Sequence, residues 1–119
     1  MNKLWFSAGI INLIASVMHL VMGYYDPLQP LLNSDISAKS IATLHAVWYM
    51  ATLVMFGTSY LFLYFGVIPQ HRASVEIVHL LAIMYLLFAM IFIFFSLAQW
   101  FLLLPISVLA FYGIKKSRK

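Results

Sequence analysis

The chain has 119 residues, of which 65% are hydrophobic and 8% charged, with a net charge of +4 and no cysteine. So few polar groups cannot clothe a water-soluble surface, and the makeup fits a helical bundle solvated by lipid. The missing cysteines exclude disulfide exchange, thiolate metal sites and thiol nucleophiles.

The first uncharged stretch runs from Leu4 to Gly23. About 20 apolar residues suffice to cross roughly 30 Å of hydrocarbon, so a first span is predicted at about 4–22. The basic start Met1-Asn2-Lys3 mimics a signal peptide, but the stretch is long and no small-x-small cleavage site follows it cleanly. It is read as a retained helix. Residues 23–40 form the one long connection, an outer loop. Asp26-Pro27 and Pro30 favour turns and extended backbone there. Leu28, Leu31 and Leu32 are too apolar for a loop free in water, which predicts that it lies in the interface or over the bundle. Asp35 or Ser37 is expected to cap the second helix.

No charge occurs between Lys39 and Arg72, which gives a second span at about 41–65. A short inner loop follows, from Gly66 to Arg72, with Ser74 as the expected cap of a third span at 74–95 and Glu76 in its first turn. The run from Glu76 to Lys115 is again uncharged and too long for one helix. Its polar break, Ser96 to Gln99, leaves a fourth span at 100–114, in which Pro105 removes one backbone donor. The expected fold is an all-α integral membrane protein, a single-domain, up-down bundle of four transmembrane helices.

Alternating spans place Lys3, Arg72, Lys115, Lys116, Arg118 and Lys119 on one side, and Lys39, Asp26 and Asp35 on the other. The excess of basic residues predicts that both termini are cytoplasmic, with the bacterial inner membrane as the expected location. Tyr24, Tyr25 and Trp100 mark the outer boundary; Trp5, Tyr64 and Tyr112 mark the inner one. The basic tail suits anionic lipid headgroups. It lacks the broad basic face that nucleic-acid binding needs.

A polar residue inside a span is costly and turns toward other helices. Asn12, Ser16 and His19 share one face of the first helix. His45, Tyr49, Thr52 and Ser59 line up on the second, and Gln99, Ser107 and Ala110 on the fourth. Hydroxyl and small side chains at such spacings ordinarily serve close packing. His19 and His45 are the more informative pair, because antiparallel neighbours joined by one loop would hold them at nearly the same depth. That would place an imidazole on each side of a metal ion or haem iron, with Asn12, Ser16, Tyr49, Gln99, Asp26 or Asp35 as acceptors for the second ring nitrogens. A second cluster pairs Glu76 with His79, near His71. Glu-x-x-His is a di-iron signature, but that site needs two such motifs and two further carboxylates, and the chain has three acidic residues in all.

The leading expectation is therefore a binding or redox module that holds haem b or a divalent metal near the outer face through His19 and His45. One alternative is an accessory subunit of a larger membrane complex or homo-oligomer. Another is a small proton-linked transporter using His79, Tyr85, Thr52, Asn12 and His45. The small multidrug-resistance transporters are similar in size and helix count, but depend on a glutamate in the first helix that this chain lacks. An enzyme acting on lipid or quinone has no acid-base constellation to support it. In architecture the chain resembles the DoxX-like four-helix proteins, with no shared motif that assigns a residue.

Overall fold

Backbone N–H and C=O groups in hydrocarbon must find partners within their own segment or a closed barrel, and so apolar chains of this kind form helices. A computed structural model describes residues 1–69 and 71–117, and the regular structure over them is entirely helical. Gln70 of the short loop and Arg118 and Lys119 of the basic tail lie outside the described residues. Helix α1 covers Lys3–Gly23 and continues through a π-type turn, Tyr24–Leu28, into the short α2, Gln29–Leu32. Then come α3, Ala38–Val67, α4, Arg72–Phe94, and α5, Trp100–Ser117. Four stretches, Lys3–Leu32, Ala38–Val67, Arg72–Phe94 and Trp100–Ser117, are long and apolar enough to cross a membrane.

Local chemistry sets the helix ends. Asn2 Oδ1 caps α1 by accepting the N–H groups of Leu4 (3.2 Å) and Trp5 (3.3 Å), the usual role of asparagine at this position. Asp26 is extended (φ −152°, ψ 114°) and, with Pro27 behind it, interrupts the helix. The connection at 23–40 thus holds more helix than its turn-forming residues suggest. Ser37 caps α3, its Oγ accepting the Ser40 N–H at 3.2 Å. Ser74 works from inside α4: its Oγ accepts the His71 N–H (3.0 Å) and donates to the His71 carbonyl (2.7 Å). Helix α4 therefore starts at Arg72, and Glu76 falls in its second turn. It stops at Ser96, whose φ of +56° lets the Leu97 N–H reach the Phe92 carbonyl at 2.8 Å, as in a Schellman cap. Helix α5 runs through Pro105 without a break.

The helices alternate in direction. Helix α1 packs against α3 and α5, α5 packs against α4, and α3 and α4 meet only sparsely. The ring is therefore closed along three seams and loose along the fourth. Both termini and the α3–α4 connection lie at one end, here the terminal end; the α2–α3 and α4–α5 connections lie at the far end. The core of the bundle holds Trp5, Phe62, Val78, Tyr85 and Ile106, with Ala8, Ala82, Ala89 and Ala110 allowing close approach. Every buried residue of α3 lies at Thr52 or beyond. Its far-end half meets α1 through Trp48, which packs on Gly23 and His19.

Candidate functional site

The polar residues of the α1–α3 seam form two groups. Nearer the far end, His19 lies between Trp48 and Thr52 of α3. Its ring stacks on the Trp48 indole, 4.1 Å between centroids and 9° from parallel, while Nδ1 meets Thr52 Oγ1 at 2.8 Å. Thr52 Oγ1 is also 2.9 Å from the Trp48 carbonyl; with its one proton given to that carbonyl it accepts from His19, the arrangement that puts the imidazole proton on Nδ1. His45 Nδ1 lies 2.9 Å from the Ile41 carbonyl, which only accepts, and this ring too carries its proton on Nδ1. Among the described residues neither Nε2 has a hydrogen-bond partner. Both rings thus keep a lone pair on Nε2.

The partners of His19 on α3 are Trp48 and Thr52. Along α3, Trp48 comes between His45 and the His19 partner Thr52. His45 stands three residues beyond Trp48, or about 4.5 Å of helix rise. Trp48 also takes the gap between the helices. Its Nε1 donates to the His19 carbonyl at 3.2 Å, and its ring lies so close over Gly23 that a Cβ there would run into it.

The other residues expected near this site disperse. Tyr49 points outward, 41% exposed, because α3 turns its 45–48–52–55–59 face to α1, and Trp48 takes the place expected for Tyr49. Asp26, Asp35 and Gln99 are exposed in the connections and have no side-chain hydrogen bond to either histidine. Among the described residues no three His, Cys, Asp or Glu side chains converge as a metal-ligand set.

Asn12 and Ser16 belong to the second group, buried in the middle of the bundle. Asn12 Nδ2 donates to the Met55 carbonyl (3.1 Å) and to Thr58 Oγ1 (3.0 Å). Thr58 Oγ1 is 2.6 Å from the Tyr85 hydroxyl, which brings α4 into the group. Ser16 Oγ donates to the Asn12 carbonyl at 2.6 Å and lies 3.3 Å from Ser59 Oγ. Thr58 and Ser59 both donate to the Met55 carbonyl, at 3.0 and 2.7 Å. These hydroxyls direct their protons to backbone of their own helices, as packing hydroxyls in apolar helices do. Asn12 Oδ1 is buried without a partner.

Glu76 and His79 form no common centre. Glu76 Oε1 accepts from Arg72 Nε at 2.9 Å, with both side chains exposed, and His79 lies edge-on to Phe111 of α5 at 5.7 Å.

Two residues hold the seams together: Asn2, which the sequence reading missed, and Trp48, which it took to crowd the gap beside the histidines without assigning it a partner. Asn2 caps α1 and also ties it to α5. Trp48 covers His19. Each carried a legible signal: an asparagine just before an apolar helical run is an N-cap candidate, and a buried indole N–H needs an acceptor. The chain matches no family model, no curated protein and no solved structure.

Proposed function

We propose that the chain spans a lipid bilayer four times with its terminal end cytoplasmic, and that its far end is a ligand-binding module. The spanning arrangement is supported by the burial pattern: only 28% to 33% of the residues in each apolar helical window are buried. The apolar surface left facing outward far exceeds what soluble monomers expose. The basic residues gathered at the terminal end support the orientation.

The observation that carries the ligand-binding role is the shared state of His19 and His45. In each, Nδ1–H is bound to an acceptor and Nε2 holds a free lone pair, the arrangement of a metal-ligating histidine with its outer partner in place. Haem b or a divalent metal is the ligand class that imidazole nitrogens in an apolar setting suit. His19, packed on Trp48 and bonded to Thr52, is the anchoring ligand, and His45, three residues from Trp48 along α3, the second contact. An absorption spectrum of the detergent-purified protein, oxidised and reduced, with elemental analysis of the same sample, tests this. A Soret band that moves on reduction and vanishes in His19→Ala establishes haem; stoichiometric metal without that band establishes a metal site. A colourless, metal-free protein overturns the assignment.

A second role, as accessory subunit of a larger membrane complex, is favoured by the far-end half of α3, where no residue is buried within this chain. Recovery of the tagged protein as a lone monodisperse species at native expression levels would exclude it.

A further inference from the structure

The terminal end carries a second feature, unrelated to the histidines. Leu4 of α1 and Tyr112, Lys115 and Lys116 of α5 line an open groove of about 390 Å³. Its two walls are fixed to each other. Asn2 Nδ2 donates to the Gly113 carbonyl and to Ser117 Oγ, both at 3.0 Å, and Trp5 Nε1 donates to the Ala110 carbonyl at 3.2 Å. The groove therefore exists before anything binds, and a ligand entering it orders little of the protein.

The chemistry of the lining is divided. Lys115 and Lys116 are exposed, and neither has an ion-pair partner among the described residues. The one acidic side chain at this end, Glu76, is bound to Arg72 at 2.9 Å. Below the ammonium groups the wall is apolar: the Leu4 side chain, the Tyr112 ring and the aliphatic stems of the lysines themselves. A small soluble anion would use the charges and leave that wall uncovered. An amphiphile uses both.

We propose that this groove binds an anionic phospholipid, its phosphate held by Lys115 and Lys116 and an acyl chain laid along Leu4 and Tyr112. The site rests on the bilayer-spanning arrangement proposed above and is independent of any ligand at His19.

The test uses the full-length protein in neutral detergent, with bound phosphatidylglycerol or phosphatidylcholine counted by native mass spectrometry. Phosphatidylglycerol should bind in preference. Neutralising two lysines near an anionic headgroup should weaken it about thirtyfold in K115Q/K116Q, with phosphatidylcholine unchanged. The charge-matched control K3Q/R72Q, at the same end but not lining the groove, should lose no more than about threefold, because charges outside the groove act through a screened field. Equal losses in the two double variants would mean diffuse attraction to the basic end and would overturn the site, as would equal binding of the two lipids. Displacement of phosphatidylglycerol by equimolar glycerol phosphate would overturn the acyl contact. Retention of the protein in membranes washed with alkaline carbonate reports on the spanning arrangement by itself, so the two failures are distinguishable.

Discussion

The two ends of the bundle use the same device with different burial. At the terminal end the Trp5 indole lies against Gly113 of α5 and donates from Nε1 to the Ala110 carbonyl at 3.2 Å. At the far end the Trp48 indole lies against Gly23 of α1 and donates from Nε1 to the His19 carbonyl, also at 3.2 Å. Trp5 is 0% exposed, enclosed by the core; Trp48 is only half-buried. A tryptophan set over a glycine is thus an enclosed joint at the terminal end and a part-exposed cover at the far end, where it lies over His19.

The largest effect that would break this contrast is at Trp5. Trp5→Ala removes a fully enclosed indole and its hydrogen bond, and should lower stability by about 3 kcal/mol in detergent unfolding. The low end of the usual range applies because lipid offers no hydrophobic transfer term and leaves packing as the main loss. Next is a matched pair. Gly113→Ala drives a methyl into an enclosed ring and should cost about 1–3 kcal/mol. Gly23→Ala makes an equally close encounter with Trp48, but the half-buried indole can swing aside, so the loss should stay below about 1 kcal/mol. Tryptophan emission should move in Gly23→Ala as the ring leaves His19. Equal losses in the two variants would refute the difference between the ends.

Smaller effects sharpen the same contrast. Asn12→Ala deletes two donated hydrogen bonds in the centre, together with an acceptor that has no partner, and should cost about 0.6–1.7 kcal/mol by thermal unfolding. His19→Phe keeps a ring against Trp48 but loses the bond to Thr52. Its stability should fall by about 0.5 kcal/mol, and on the ligand-binding role proposed above any haem or metal should be lost from the spectrum and the elemental analysis. Arg72→Ala breaks only an exposed ion pair and should leave stability within about 0.5 kcal/mol of the parent.

Much of the architecture was legible in the chain because charge and length carry it. The uncharged runs after Lys3, Lys39 and Glu76 mark where helices must lie, and Ser96 to Gln99 divides the last run. Boundaries were less legible where a side chain acts away from its own position: Ser74 caps α4 from within, and the segment after Asp26 returns to helix. At the candidate site, the sequence identified His19, Asn12 and Ser16 as members of one face of α1. On α3 it chose Tyr49, where Trp48 enters the seam and Tyr49 is exposed. Adjacent residues differ by about 100° around a helix, and the rotation of α3 against α1 selects which one enters the seam.

What the sequence determined by itself is the helical class and the number of apolar helices, since hydrocarbon-length runs without charge have few other solutions. The tertiary structure alone decided that Trp48 packs on His19, that Asn2 joins α1 to α5, and that the α3–α4 seam stays loose. Those outcomes depend on the relative shift and rotation of whole helices. In a chain whose surface is apolar all round, hydrophobic periodicity gives no direction, and close packing at small residues with a few interhelical hydrogen bonds sets the register.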